Sequence, residues 1–383
     1  MIVALYLCLA IIFYVYLGYP LWLLLLKKIN SKSVNKKTPE VWPRISVIIA
    51  AHNEEANIEN RLKNILLQDY PANKLEIIVV SDGSADKTVE LAEAIAAAES
   101  EKIIHVLDVK ENRGKPASIN SGVDHASGDI LIFTDARQDF AENSISELVS
   151  NFTDTDVGCV SGELFFKQSR DSNIQKEMGV YWKYEKFIRK SESATGSVVG
   201  VTGAIYAIRK ELFKKIPADT LIDDVLIPMQ VVRQGSRVIF DDQAAAYDIV
   251  SDDTSQEWKR KVRTLSGNWQ LLLDHKYLLN PFQNPLFFEF LSHKVLRLVV
   301  PFLMVAVLVL SYILIDEGYL WLFVLQLIFY MLFLGGMFFP GLRKNRIINL
   351  IYFFNILNLA VVVSFYKMVI RRQTNLWQAA YKS

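Results

Sequence analysis

The chain has 383 residues, 51% of them hydrophobic, and its 42 lysines and arginines against 41 aspartates and glutamates leave a net charge of +1. A charge so balanced supplies no global field for nucleic acid, which argues against a nucleic-acid partner. Its two cysteines, Cys8 in an apolar run and Cys159 in a predicted strand, argue against a disulfide framework and fit a reducing compartment.

No charged residue lies between Ile2 and Leu26, a run long enough to cross a hydrocarbon core of about 30 Å. Residues 1–27 are therefore expected to be a transmembrane anchor; a cleaved signal peptide would need a basic start and a short apolar core before a small-residue cleavage site. Lys27, Lys28, Lys32, Lys36 and Lys37 follow directly, which the positive-inside rule assigns to the cytosolic face of the plasma membrane. From Pro43 the chain alternates apolar runs of strand length with amphipathic stretches of helix length, the pattern of an α/β domain with a largely parallel sheet over 43–252. Strands are expected over 45–50, 77–80, 103–107 and 129–133, and a helix over 54–67. A basic amphipathic stretch around Trp258 to Arg263 predicts interfacial helices over 253–293, followed by membrane segments over 294–370 and a tail over 371–383. The apolar spans run near 295–315, 319–339 and 347–370, and the acidic turn Asp316-Glu317 suits the outer face. The last span has basic residues on both sides, Arg343, Lys344 and Arg346 before it and Lys367, Arg371 and Arg372 after it. One crossing cannot place both sets inside, so this segment is either re-entrant or an exception to the rule. Asn355 and Asn358 within it argue against a plain lipid-facing helix.

Three acidic clusters carry candidate chemistry. Asp82, before Gly83 and Ser84, ends an apolar strand, where ligands of open α/β sheets bind; it reads either as a nucleotide contact or as an Asx turn. Asp135, in Phe133-Thr134-Asp135-Ala136-Arg137, reads as a ligand for Mg²⁺ or Mn²⁺ against a diphosphate or as a helix cap. Asp223 and Asp224 stand side by side in an apolar stretch opening a helix to about Arg233, and like charges so placed are costly unless something uses them. One is a candidate general base. Gly196, Gly200 and Gly203 would let a sugar or pyrophosphate approach the backbone, or mark plain bulges. Arg260 and Arg263 share a helical face suited to a diphosphate or to anionic lipid. Trp182, Tyr184 and Trp269 read as sugar platforms or interfacial anchors.

In order and spacing these clusters resemble the family 2 glycosyltransferases, specifically the membrane-bound branch of cellulose, chitin, hyaluronan and poly-N-acetylglucosamine synthases, from about Ile45 to Gln270 and in the flanking membrane segments. The resemblance implies a GT-A fold, Rossmann-like with a mostly parallel sheet, in a cytosolic domain with one N-terminal and about three C-terminal transmembrane helices. It places Ala51, Asn53 and Glu54 in the donor loop, Asp82 and Gly83 at the nucleotide, and Lys115 with Asn120 toward the donor diphosphate or uracil. Thr134 and Asp135 match the start of the Asp-x-Asp metal motif, and Asp224 the catalytic base, with Asp223 where Glu is usual. Trp182, Gly203, Asp223 and Trp269 fall on the acceptor side, and Arg137, Arg260 and Arg263 on the donor side. Two departures stand out: Arg137 replaces the second acid of the metal motif, and the Gln-x-x-Arg-Trp motif of polymer synthases survives only as Arg263 before Thr264. The implied function is inverting transfer from a nucleotide-sugar, UDP-linked, to a polysaccharide or lipid-linked acceptor. The setting implied is exopolysaccharide synthesis, with Mg²⁺ or Mn²⁺ as cofactor and membrane lipids and export or polymerisation proteins as partners. The alternative is a catalytically idle subunit that binds nucleotide-sugars or polysaccharide in an export complex.

Overall fold

The computed structural model describes residues 1–167, 173–249, 254–370 and 376. The expected boundary near Asp252 and, apart from Leu376, the expected tail lie outside them. The chain opens with α1 (Ile2–Ile29) and enters the sheet at β1 (Ile45–Ala51), followed by α2 (Ile58–Leu66), β2 (Leu75–Asp82), α3 (Thr88–Ala98), β3 (Ile103–Val109), α4 (Lys115–His125) and β4 (Ile130–Asp135). Strand β1 pairs in parallel with β2 and β4, and β2 with β3. Both faces of β1 are covered, which is why it reads as an unbroken apolar run. Val47 and Ile49 pack with Ile58, Leu62 and Ile65 of α2, while Ile48 faces the other way, toward Ile119 and Val123 of α4.

The second half adds β5 (Asp139–Phe140), α5 (Ser144–Ser150), β6 (Val157–Lys167), α6 (Asn173–Thr195), β7 (Tyr206–Arg209), α7 (Asp223–Arg233) and β8 (Arg237–Ile249). Strand order across the sheet is β3-β2-β1-β4-β7-β6-β8-β5, with β7 antiparallel to β4 and β6, and β6 parallel to β8. This is the Rossmann-like, mostly parallel GT-A sheet. The helix expected from Glu54 starts only at Ile58, because backbone N–H groups of Glu54 and Glu55 donate instead to Thr88 Oγ1 (2.8 Å) and Asp86 Oδ2 (3.1 Å). Two loops at the carboxyl edge are thereby tied together.

Beyond the sheet come α8 (Thr254–Asp274), α9 (Phe287–Ile313), α10 (Leu320–Phe338) and α11 (Arg346–Val369). Helices α1, α9, α10 and α11 are long and apolar enough to cross a membrane, one N-terminal and three C-terminal. Leu7, Leu21, Trp321, Ile328 and Ile347 stand exposed on them, as lipid-facing side chains do. A buried polar seam fastens these helices to the domain. Tyr19 Oη donates to Glu192 (2.6 Å), and the His293 ring lies 2.8 Å from Glu192 and 3.0 Å from Glu185, which also pairs with Arg297. Burial of these groups is offset by their pairing with one another.

Helix α8 lies on the domain. Val262 and Leu271 are buried, Gly267 sits where a Cβ would come within 2.6 Å of Ile222, and Gln270 Oε1 accepts the Leu221 N–H (2.9 Å). Helix α11 follows α8: Lys261 Nζ stands 5.9 Å from the Phe353 ring, and Trp269 Nε1 donates to Ser364 (3.2 Å) with its ring 5.1 Å from Phe365.

Candidate active site

Asp82 ends β2 with no exposed surface. Its carboxylate accepts the Arg113 N–H (3.1 Å to each oxygen) and the Gly114 N–H (2.6 Å). Gly114 has φ +88° and Gly83 φ +68°, and a Cβ at Gly83 would meet Asn112 N at 2.7 Å. The expected opening toward a ligand is thus filled by the chain's own 112–114 loop, which Asp82 shapes so that Lys115 begins α4. Ala51 and Thr134 are likewise buried, Thr134 accepting from Arg61 (2.8 Å) and lying 2.9 Å from the Ala204 carbonyl. Asn120 brackets Ile216, donating to its carbonyl (2.8 Å) and accepting its N–H (3.1 Å). These residues form the frame of the site and do not line its cavity.

The cavity, about 2030 Å³, opens at the carboxyl edge of the sheet and is lined by Asn53, Glu54, Lys115, Asp135, Arg137, Trp182, Gly203, Asp223 and Asp224, with Arg260 and Arg263 from α8. Asn53 adopts φ +55°, its side-chain oxygen accepting the Ala85 N–H (2.8 Å). Burial, opposed by the hydrogen bond from Asn57, raises the Glu54 carboxyl. Lys115 Nζ donates to Asp135 Oδ1 (2.8 Å) and stands 3.7 Å from Asp223 Oδ2. Burial would lower the Lys115 pKa, but Asp135 and Asp223 outweigh it and raise it. Burial would raise the Asp135 carboxyl, yet Lys115, Arg137 and Arg263 together lower it.

Arg137 pairs within the cavity lining with Asp248 (2.9 Å), a buried acid that Gln138 also contacts (3.0 Å). Among the described residues no cluster of three His, Cys, Asp or Glu side chains could hold a metal. Asp135 fits a divalent cation as a single carboxylate facing the cavity; hard cations bound with donor phosphates use one or two.

Asp223 and Asp224 occupy the first turn of α7, where the helix dipole favours anions. Burial, then the neighbouring Asp223, raises the Asp224 carboxyl, against the lowering influence of Lys294, Lys115 and Arg189. Asp223 Oδ2 is buried and accepts no hydrogen bond, its nearest cation being Lys115 at 3.7 Å. At Gly203 a Cβ would lie 3.7 Å from Asp224 Oδ2, so its absence keeps the approach to that carboxylate clear. Trp182 lines the cavity 5.3 Å from the Phe166 ring, whereas Trp269 packs between Phe302 and Phe365 of the apolar helices and does not line it. Arg260 is paired with Glu257. Sequence reasoning missed Asp248 and Arg189. Asp248 is the penultimate residue of β8, after the run Ala244-Ala245-Ala246-Tyr247, a weaker form of the signal used for Asp82 and Asp135; Arg189, which bonds Thr202 (2.7 Å), carries no local signal.

Residues 46–217 match the model of Glycosyl transferase family 2. The poly-beta-1,6-N-acetyl-D-glucosamine synthase of Staphylococcus aureus strain COL is 28% identical over 250 residues, 63% of this chain and 59% of that protein. The synthase of the same name from Staphylococcus epidermidis strain RP62A is 23% identical over 252 residues, 64% and 60% of the two chains. This chain thus spans about three fifths of the length of these curated relatives. Across 97% of this chain and 100% of its own, the structure of the mannosyltransferase PcManGT from Pyrobaculum calidifontis, in complex with GDP-Man and Mn²⁺, superposes with TM-score 0.73 at 20% identity, which shows a common fold. Residues 46–217 are therefore a family 2 glycosyltransferase domain of GT-A fold, carried by a chain with four apolar helices.

Proposed function

We propose that the chain transfers a sugar, with inversion, from a nucleotide-sugar, UDP-linked, to a polysaccharide or lipid-linked acceptor, at the cytosolic face of the plasma membrane, in cell-surface polysaccharide synthesis. The observation that carries this reading is one cavity lined together by Lys115, Asp135 and the Asp223-Asp224 pair, with Lys115 bonded to Asp135 (2.8 Å) and 3.7 Å from Asp223. Relatives named for poly-N-acetylglucosamine synthesis and a structural neighbour holding GDP-Man support it.

Asp224 deprotonates the acceptor hydroxyl as its oxygen attacks the anomeric carbon in line with the departing diphosphate. Its raised pKa makes it a stronger base than an ordinary carboxylate. Asp223, beside it in the cavity lining, holds the acceptor. Lys115, at the N-terminus of α4, and Arg263 offset charge on the leaving group before any atom moves. A divalent cation on Asp135, Mg²⁺ or Mn²⁺, would add further charge stabilisation there. The test incubates the purified full chain with UDP-GlcNAc, UDP-glucose, UDP-galactose and GDP-mannose, with and without lipid acceptors, and reads products by mass spectrometry. Sugar-bearing product from the wild type and none from Asp224→Asn is expected; no product and no acceptor-dependent nucleotide release with any donor would overturn the proposal.

A further inference from the structure

The cavity does not stop at the carboxylates. It continues past Tyr184 and Arg297 to Phe329 of α10 and along α11, where Arg346, Leu350, Phe353, Phe354 and Lys367 line it. Helix α9 leaves the domain at Phe290, part of the domain core, and the chain turns back at Asp316-Glu317. Arg297 therefore lies near the domain end of α9, and Phe329 about halfway along α10. Among the described residues, nothing on α9 beyond Arg297 or on α10 before Phe329 lines the cavity. A path for a growing polymer must be lined through the full core of about 30 Å; among the described residues of α9 and α10, only Arg297 and Phe329 line this cavity.

Its far wall has the chemistry of an amphiphile's partner. Helix α11 runs beside α8 from Phe353 to Phe365, and α8 is fixed to the domain, so this stretch of α11 stays level with the domain face. Its two basic ends, Arg346 and Lys367, both open onto the one cavity. Apolar Leu350, Phe353 and Phe354 stand next to Lys344 and Arg346, and among the described residues neither cation has a carboxylate partner. The acids that line the cavity all belong to the catalytic domain or to α8. A neutral glycan would leave both the cations and the apolar wall unmatched; a phosphate joined to an apolar chain matches both.

We infer that the acceptor is a lipid-linked sugar, a saccharide joined through phosphate or diphosphate to an apolar chain, whose chain and phosphate lie along α11 while its sugar reaches Asp224. This rests on the sugar-transfer reading and narrows it. The acceptor hydroxyl oxygen bonds to the donor's anomeric carbon, its proton passes to Asp224, and the bond from that carbon to the diphosphate breaks. The nucleoside diphosphate leaves with the electron pair, and the lipid phosphate is unchanged.

The test uses the full chain in detergent with the same donors and three acceptors: prenyl-diphosphate-linked N-acetylglucosamine, a free N-acetylglucosamine oligosaccharide, and phosphatidylglycerol vesicles. Expected are nucleotide release and an extended product in the organic phase with the first acceptor alone. A diazirine-bearing prenyl diphosphate should crosslink the wild-type protein within α11, in a manner that phosphatidylglycerol does not compete. Lys344→Glu with Arg346→Glu should raise KM for the lipid-linked acceptor roughly tenfold or more, leaving KM for the donor unchanged. Extension of the free oligosaccharide with no use of the lipid-linked sugar would overturn the inference and leave the transferase reading standing. Equal competition by phosphatidylglycerol would make this a general anionic-lipid site and also overturn it. Absence of turnover with every donor and acceptor would instead count against the transferase reading.

Discussion

The end of β2 and the start of α7 each present aspartate at the same edge of the sheet, yet the chain treats them in opposite ways. Asp82 is saturated by backbone N–H groups of Arg113 and Gly114 and has no exposed surface. Asp223 and Asp224 line the cavity, one with an oxygen that accepts no hydrogen bond and only faces Lys115 at 3.7 Å, the other with a raised pKa. A carboxylate whose lone pairs the fold already uses holds a loop in shape; one whose lone pairs remain open is available to a substrate. By that criterion we propose that Asp82 acts on the donor through the position of Lys115, and Asp224 on the acceptor directly.

The largest effect that sharpens this contrast is expected from Asp224→Asn, which should lower kcat by about 10²–10⁴-fold while nucleotide-sugar affinity, measured by calorimetry, stays near the wild-type value. Wild-type turnover in that variant would remove Asp224 from the role of base. EDTA should suppress turnover, with recovery on adding Mg²⁺ or Mn²⁺. Full rates in excess chelator would leave charge compensation to Lys115, Arg263 and Arg137. Asp82→Ala should instead cost about 1–3 kcal/mol of stability by stranding buried N–H donors, seen as a lower melting temperature. Loss of donor affinity at an unchanged melting temperature would show that Asp82 meets the nucleotide itself and would break the comparison.

The smallest effect concerns pH. Activity requires the unprotonated Asp224 carboxylate, so it rises as pH rises through that group's pKa. Because burial and Asp223 raise the pKa, the acidic limb should lie above that of an ordinary carboxylate. Removing the neighbouring charge in Asp223→Asn lowers the Asp224 pKa and should move the limb to lower pH. A limb that stays in place would show that burial alone sets it.

Much of the frame was legible in the sequence because its signals are local. Fully buried parallel strands need unbroken apolar runs, so β1, β2 and β4 could be placed, and membrane thickness demands apolar spans of the lengths found in α1, α9, α10 and α11. The adjacent acids at 223 and 224 stood out because nothing in an apolar run accounts for both. The start of α2 was misplaced, because the residues before Ile58 bond to a loop some 30 positions on.

What the sequence by itself determined, then, is the order of elements, the four apolar helices and the residue types at the sheet's carboxyl edge. Only the tertiary structure decided which of those residues face the cavity. Arg137 lines the cavity paired to Asp248, Trp269 packs among the apolar helices while Trp182 lines the cavity, and α11 lies beside α8. The reason is physical: hydrophobic burial leaves a period in the neighbouring residues, whereas a polar side chain's fate depends on partners far along the chain that leave no trace in its own neighbourhood.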